Sequence, residues 1–528
     1  MILSFQKKIL YLFLTIYFLT GSYLSLTNGI SHDEYHEQQN WIINIASVKD
    51  FFLTSSYDDL LNYRDKYHGI AFQIISQPIQ YLIKDLVIYY NNTSELGGLL
   101  ISKHFVVFLF FSISGLFFFL IINKITKDFV VSGISTALYL TYPYLFGHAL
   151  FNPKDIPFLS FWIICSYFSL RLVEDFYLKK KIKISQFIVL AFFTAFLVSI
   201  RIIGLLILIQ YLVSILIFLQ ITKKNLISLL INNYTNFLIG LIFFVFFIYI
   251  LNPIFWHNPL ELINSIKWMG KYPQNICTLT NGSCLYSLSL PSSYYFIWLF
   301  YKLPILILIG YFIFPIIESK IFKNDVVSIY YGTLLIIAPV IIIIFILKDV
   351  AIYDELRHLL FIFPLILIVS LSNLYIYLKK KLFYIFATLV LIFFVMENIS
   401  LNPYQYTWLN SFSKFKDIEK NFEVDYWGIS NKNLQKKIIE FSGKEKIPKS
   451  ICIYGDYYVK EFLLPHNFEC FGQYGEIDDG KQRPFIAYQN LRNVKRSDPK
   501  NCEMIWSDGY YYTFYKKRIS TGKLWYCN

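Results

Sequence analysis

The chain alternates between long apolar blocks and short polar punctuation. Blocks of about 18–24 apolar residues recur, each enough for a helix to cross a hydrocarbon core roughly 30 Å thick. Short basic runs separate many of them: Lys7-Lys8, Lys124 with Lys127, Lys179 to Lys183, Lys223-Lys224, Lys320 with Lys323, and Lys379 to Lys381. Positive residues in short loops mark the cytoplasmic side, so these runs set the threading by parity. Ile184 to Gln220 has such lysines at both ends and would reach about 56 Å as one helix. It must therefore be two helices, with an outer turn near Ser199 to Gly204. The same logic splits Val130 to Leu172 around an outer loop at 142–157, and Val326 to Tyr377 around one at 348–357.

This threading predicts about eleven spans, near 9–27, 101–122, 129–143, 157–175, 185–199, 202–220, 233–252, 296–315, 326–347, 358–377 and 382–398. No small-residue cleavage site precedes Ser31, so the first apolar block is expected to be a retained helix rather than a signal peptide. With the N-terminus cytoplasmic, an odd count leaves the C-terminus outside. Larger outer segments fall at 28–98, 252–295 and 400–528. In the last, the composition shifts and the alternating runs Ile451 to Tyr454 and Tyr510 to Tyr515 read as strands. The expected fold is a polytopic α-helical membrane domain, 1–399, followed by a small extracytoplasmic α/β or α+β domain, 400–528.

Composition supports that class. Of 528 residues 56% are hydrophobic and 16% charged, against about 25% charged in soluble domains. The net charge of +13 lies in the short loops, so it speaks for topology and not for a nucleic-acid partner. Six of the seven cysteines, all but Cys165, fall in expected outer segments, where disulfides can form. Cys277 and Cys284 would close a short loop, whereas the tail's four cysteines allow three pairings. No CxxC pair or Cys/His spacing marks a metal site.

Three outer stretches carry chemistry. Ser31-His32-Asp33-Glu34-Tyr35-His36-Glu37 puts carboxylates and imidazoles at the mouth of the first span, where low dielectric makes them costly to hold and invites a functional reading. Asp33 with Glu34 would suit a general base for an acceptor hydroxyl. Asn152-Pro153-Lys154-Asp155-Ile156-Pro157 holds an acid and a base between two prolines. In Tyr353-Asp354-Glu355-Leu356-Arg357-His358, Arg357 and His358 sit where a lipid head group would lie, and Arg presents a planar fork suited to phosphate oxygens. A snorkelling arginine at a helix end is the ordinary alternative. Lys103-His104 at the expected outer start of the second span and Arg201 at the middle turn repeat the theme. Nucleotide sugars are absent outside the cell, so a donor there would have to be lipid-linked.

This ordered set resembles the membrane-embedded GT-C glycosyltransferases, in particular a bacterial branch like the protein O-mannosyltransferases and the aminoarabinose lipid A transferases (glycosyltransferase family 39-like). The resemblance is carried by Asp33-Glu34, by Gly147-His148 leading into Asn152 to Phe158, and by Arg201-Ile202-Ile203-Gly204. It also rests on Pro253 to Pro259 with Trp256, Tyr353-Asp354 through Arg357-His358, Asn402-Pro403-Tyr404-Gln405-Tyr406, and Asp425-Tyr426-Trp427-Gly428. It implies an undecaprenyl- or dolichyl-phosphate-linked sugar donor and inversion at the anomeric carbon. It further implies Asp33 as catalytic base with Glu34 assisting, and Asp155 organising the site. The lipid phosphate is expected on Arg357, His358, Lys103, His104, Arg201 and Lys154. The resemblance demands no cofactor; a divalent cation on His32, Asp33 and Glu34 is left open, as is a glycan, lipid or protein acceptor. An integral protein of the bacterial inner membrane is expected. A transporter of polyprenyl-linked sugars is the alternative; such proteins carry mid-membrane charge and internal repeats, which these spans lack. A membrane-anchored glycan-binding protein would need one span, not eleven.

Overall fold

The computed structural model describes residues 2–527 except 56, 271–273, 444–450, 456–459, 469, 478–483, 493–497 and 516. Among the described residues, eight helices are long and apolar enough to cross a membrane, and two bent pairs bring the number to ten. An eleventh apolar helix, Ile184–Ile200, is shorter. In hydrocarbon every backbone polar group must be satisfied internally, which is why such blocks become helices. Asp155–Tyr177 and the Arg357–Tyr377 stretch form the centre, with 83% and 89% of their most apolar windows buried. Gln6–Leu26, Tyr234–Leu251 and Lys380–Ser400, at 17%, 11% and 22%, form the rim.

Each expected split is present, and each has a local cause. Arg201 is extended between Ile184–Ile200 and a 3₁₀ turn, Ile202–Leu206, that leads into Ile207–Thr222. Phe129–Thr141 and Pro143–Ala149 meet at 62°, at a proline whose missing N–H suits the first turn of a helix. The expected eighth span, 296–315, is not straight: Ser293–Lys302 and Ile305–Phe312 meet at 117°. Pro304 supplies no amide donor and disfavours a helical Leu303, which is extended.

The segment 28–98 is helical rather than loop-like. His32–Thr54 and Ala71–Asn91 are joined by a short helix, Asp58–Asn62. Both long helices expose large apolar side chains, including Phe52, Leu53, Leu82 and Tyr89, as expected of helices lying in a membrane interface. In 252–295 a hairpin, β1 (Cys277–Thr280) and β2 (Ser283–Tyr286), is closed by the Cys277–Cys284 disulfide.

The C-terminal region holds a mixed five-stranded sheet. Its strands are β3 (Cys452–Gly455), β4 (Cys470–Gln473), β5 (Phe485–Asn490), β6 (Glu503–Tyr510) and β7 (Ile519–Cys527), in the order β4-β3-β5-β7-β6. β3 is parallel to β4 and β5, and β7 is antiparallel to β5 and β6. Side chains alternate between faces. Ile453, Ile486, Tyr488 and Leu524 pack with Leu434 and Ile438 of the helix Asn431–Gly443, while Tyr454, Phe485, Ala487 and Trp525 form a second cluster. Disulfides Cys452–Cys470 and Cys502–Cys527 select one of the three pairings. The stretch after Ser400 is no simple linker: Tyr406, Trp408, Phe422, Tyr426 and Trp427 join the hydrophobic core of the membrane helices.

Candidate functional site

Beneath the sheet domain, at one end of the helix bundle, lies a cavity of about 1440 Å³. Its wall takes residues from the expected outer segments and from the C-terminal region, so the loops that parity put on one side do converge. Asp33 starts the helix His32–Thr54, whose first turn is set by a capping box on Ser31. The cap turns its neighbour Glu34 inward. Glu34 Oε1 accepts from Ser31 N (2.7 Å) and Ser31 Oγ (2.9 Å), and its Oε2 meets His104 Nε2 at 2.8 Å.

Arg357 is the hub. Its Nη1 donates to Asp33 Oδ2 at 2.7 Å and lies 3.9 Å from Asp155 Oδ2; its Nε stands 3.2 Å from Asp354 Oδ2. The guanidinium carbon sits 4.7 Å from the Tyr353 ring centre and 4.6 Å from that of Trp427, a cation–π arrangement that holds the plane of the fork. Asp33 keeps 38% of its side chain exposed while Arg357 keeps 3%. Burial alone would raise the Asp33 carboxyl, but Arg357, aided by Lys154 and His36, brings it down to about 2. Asp33 is thus a carboxylate open to the cavity, with a fixed cation behind it.

Asp155 lies deeper. It pairs with Arg201, and Asn152 Nδ2 donates to its Oδ2 at 2.9 Å. The same Asn152 accepts from the Asp155 amide (2.9 Å), which locks the Asn-Pro-Lys-Asp turn. Lys154 Nζ donates to Glu37 Oε1 at 2.7 Å and to His68 Nδ1 at 2.9 Å. Burial, then Lys154 and Arg201, hold His68 well below its ordinary value, which suits Nδ1 to accept from Lys154. His358 lines the cavity with its ring 4.8 Å from that of Tyr353.

The loop feeding Arg357 is strained: Asp354 (φ 56°) and Glu355 (φ 65°) are consecutive left-handed residues, each costing about 1–3 kcal/mol for a side chain larger than glycine. Thr278 Oγ1 accepts from the Asp354 amide (3.0 Å), and Tyr294 Oη donates to the Glu355 carbonyl (2.8 Å). Glu355 is buried against Lys302 Nζ (2.6 Å) and Tyr426 Oη (3.2 Å). Burial pushes its carboxyl up to about 7 against the pull of Lys302. Asp354 also pairs with Arg492, which follows β5, so the C-terminal sheet is tied to the hub.

Of the residues expected to act, Asp33, Lys154, Arg201, Arg357 and His358 line the cavity, and Asp155 stands behind two of them. Glu34, Lys103 and His104 do not line it. The helix Glu95–Thr126 begins six residues before the expected span, so Lys103 and His104 fall inside it, fully buried. Both ring nitrogens of His104 are engaged, by Glu34 and by the Ser25 carbonyl at 3.0 Å. The geometry therefore separates Glu34 from Asp33, and Lys103 and His104 from the basic residues that line the cavity. The spans are also less free of charge than their hydropathy implies, since this pair and Glu34 form a buried polar cluster. His32, Asp33 and Glu34 do not form one ligand set: Asp33 faces Arg357 and Glu34 faces His104. Among the described residues no three His, Cys, Asp or Glu side chains gather as metal ligands.

Sequence reasoning did not find Glu37, His68 or Arg492 as partners, nor Tyr353 and Trp427 as the rings around Arg357. Tyr353 and Trp427 stand in motifs that carry the family resemblance, whereas Arg492 follows a strand with no local signal at all. One wall of the cavity is apolar, built by Ile202, Ile203, Leu205, Leu206, Ile344 and Phe345.

No family profile matches the chain, and no curated protein does. Among solved structures it is similar to ArnT from Cupriavidus metallidurans bound to undecaprenyl phosphate. That likeness is at 11% identity and a TM-score of 0.44, and covers 98% of this chain and 97% of the other. The apo form of the same ArnT gives 10% identity, 98% coverage of both chains and a TM-score of 0.44.

Proposed function

We propose that this chain is an inverting glycosyltransferase that moves a sugar from a polyprenyl phosphate to an acceptor hydroxyl at the extracytoplasmic face of the membrane. The reading rests on one observation: an open carboxylate, Asp33, held 2.7 Å from a ring-clamped arginine, in a cavity with a cationic floor and an apolar wall. The polyprenyl chain would lie along Ile202 to Leu206 and Phe345, where the adjoining Leu208 and Leu347 are exposed on the bundle surface. The phosphate would meet Arg357, Arg201 and Lys154.

The chemistry balances without a cofactor. The acceptor oxygen forms its bond to the anomeric carbon as the bond from that carbon to the phosphate oxygen breaks. The proton passes to Asp33, and the leaving phosphate keeps the electron pair, its charge held by the arginines. Asp33 is a weak base while Arg357 grips it. A phosphate that shares Arg357 weakens that grip and raises the basicity of Asp33 when donor is in place.

The test uses the full chain in lipid nanodiscs with a polyprenyl-phosphate sugar. Asp33→Asn should bind undecaprenyl phosphate like the parent yet lose transfer by about 10³-fold or more, in the range of a lost general base together with its electrostatics. Arg357→Gln should lose the binding itself. Wild-type transfer rates in Asp33→Asn would sink the proposal.

A further inference from the structure

The last long apolar helix, Lys380–Ser400, has 21 residues. At 1.5 Å per residue it is about 31 Å long, the thickness of a hydrocarbon core of roughly 30 Å. Its exposed side chains Leu389, Ile392, Val395, Met396 and Ile399 form a lipid-facing stripe that reaches the residue before Ser400. The C-terminal region folds back along this same end. Between β6 and β7 the chain passes through Tyr511 to Tyr515, and the Phe514 ring stacks on that of Phe393, with centres 6.1 Å apart. Phe393 lies two helical turns before Ser400, about 10 Å along the axis. Helix side chains lean towards the N-terminus, which takes the contact further from that end. Phe514 is nevertheless 72% exposed.

The loop is equipped for that depth. In hydrocarbon, backbone polar groups must find partners within the protein. The Thr513 amide donates to Glu397 Oε1 at 3.3 Å, and the Tyr511 carbonyl accepts from Ser400 Oγ at 2.5 Å. The Tyr515 amide donates to the Tyr512 carbonyl at 3.1 Å. The nearby charge is neutralised as well. Lys414 Nζ lies 3.2 Å from Glu397 Oε1, among the rings of Phe393, Tyr512 and Phe514. Beside Lys414, the turn Ser411–Phe415 presents Phe415, 86% exposed, and stacks Phe412 on Phe300 of the helix Ser293–Lys302. That helix exposes Phe296 in turn. The aromatic patch thus continues the lipid-facing surface of two apolar helices, and this continuity selects lipid as its occupant. Aromatic rings at a membrane boundary are favoured there.

We infer that the C-terminal domain is itself anchored in the bilayer through the β6–β7 loop, with Phe514 inserted among the acyl chains of the leaflet on that side. The partner is a lipid surface, and the anchor stands whether or not the chain transfers sugars.

The test takes the full chain in phosphatidylcholine nanodiscs. Cys165 is buried and the other cysteines are paired in disulfides, so Phe514→Cys offers a single exposed thiol for an NBD fluorophore. Ile392→Cys and Ile399→Cys, both at exposed positions of the helix, supply a depth ruler. Quenching is read with a doxyl group carried high on the lipid chain and with iodide in the water. The ratio of doxyl to iodide quenching at 514 should equal or exceed that at 399 and approach that at 392. A ratio below that at 399 would put the loop in water, and shielding from both quenchers would mean that a protein chain covers the patch. Either result overturns the inference. Should the thiol variant fold poorly, Phe514→p-benzoylphenylalanine keeps a ring at the position. Its photo-adducts should then be phospholipid, and adducts to a second protein chain, or none to lipid, would overturn the inference equally.

Discussion

Asp33 and Glu34 are adjacent in sequence and diverge in space because successive helical residues turn by about 100° around the axis. One faces the cavity and Arg357; the other caps its own helix and meets His104. Their substitutions should therefore differ in kind. Asp33→Asn should fold normally and lose transfer, whereas Glu34→Gln should lower the melting temperature with donor binding kept in whatever protein folds. Arg357→Gln strips three carboxylates, Asp33, Asp354 and Asp155, of their shared cation, and breaking a buried ionic group in this way costs about 3–5 kcal/mol. It should also release Asp33 from its low value. The folded value of about 2 lies below the ordinary carboxylate value of about 3.9, so the stability from Asp33 is present above pH 3.9 and lost as pH falls through 2. The acid limb of kcat/KM should lie below about pH 4 in the wild type and move upward in an Arg357→Gln protein that retains measurable turnover.

At the scale of elements, the hairpin β1–β2 acts as a brace. Thr278 holds the strained Asp354, Thr280 accepts from Trp298 Nε1 at 3.0 Å, and the Leu279 amide donates to Glu423 at 2.7 Å. Glu423 is buried with its second oxygen unpartnered among the described residues. Burial pushes it up to about 8 despite Arg492 and the Leu279 amide. Its folded value thus exceeds the unfolded value of about 4.3. The stability it lends is complete below pH 4.3 and is lost as pH rises towards 8. Glu423→Gln should flatten the decline in melting temperature between pH 5 and 8 that the wild type shows. A second brace is Gly147 in the helix Pro143–Ala149, which lies against the backbone of Gln405 and Tyr406. A Cβ there meets main chain that cannot step aside, so Gly147→Ala should cost at least the roughly 1–3 kcal/mol of core overpacking, read as a lower melting temperature and reduced donor binding.

At the scale of the whole molecule, the sheet domain and the helices share one cavity and one set of contacts. Buried Lys432 donates to the carbonyls of Thr27 (2.6 Å) and Asn28 (3.2 Å) and to Asn91 Oδ1 (2.8 Å), joining the C-terminal region to the exit of the first helix. Sidedness is the prediction that belongs here. The one cysteine outside a disulfide, Cys165, is buried, so a Lys181→Cys protein carries a single exposed thiol. It should react with a membrane-impermeant maleimide only after the cells are opened. Much of this architecture is legible in the hydrophobic pattern, because the length of an apolar block and the lysines at its ends are local properties with a direct energetic meaning in a bilayer. The split at Arg201, the placement of six cysteines in polar segments and the acid–base stretches at 33, 155 and 357 are all of that kind. The partnerships are not local. Which carboxylate faces the cavity, that Lys103 is sealed inside a helix, which cysteines pair, and that Arg492 reaches Asp354 from about 140 residues away all depend on packing. The sequence by itself determined a polytopic helical bundle with its reactive groups at one end. Only the tertiary structure decided which of those groups meet, because the energy of a charge in low dielectric is set by what lies within a few ångströms of it and not by its place along the chain.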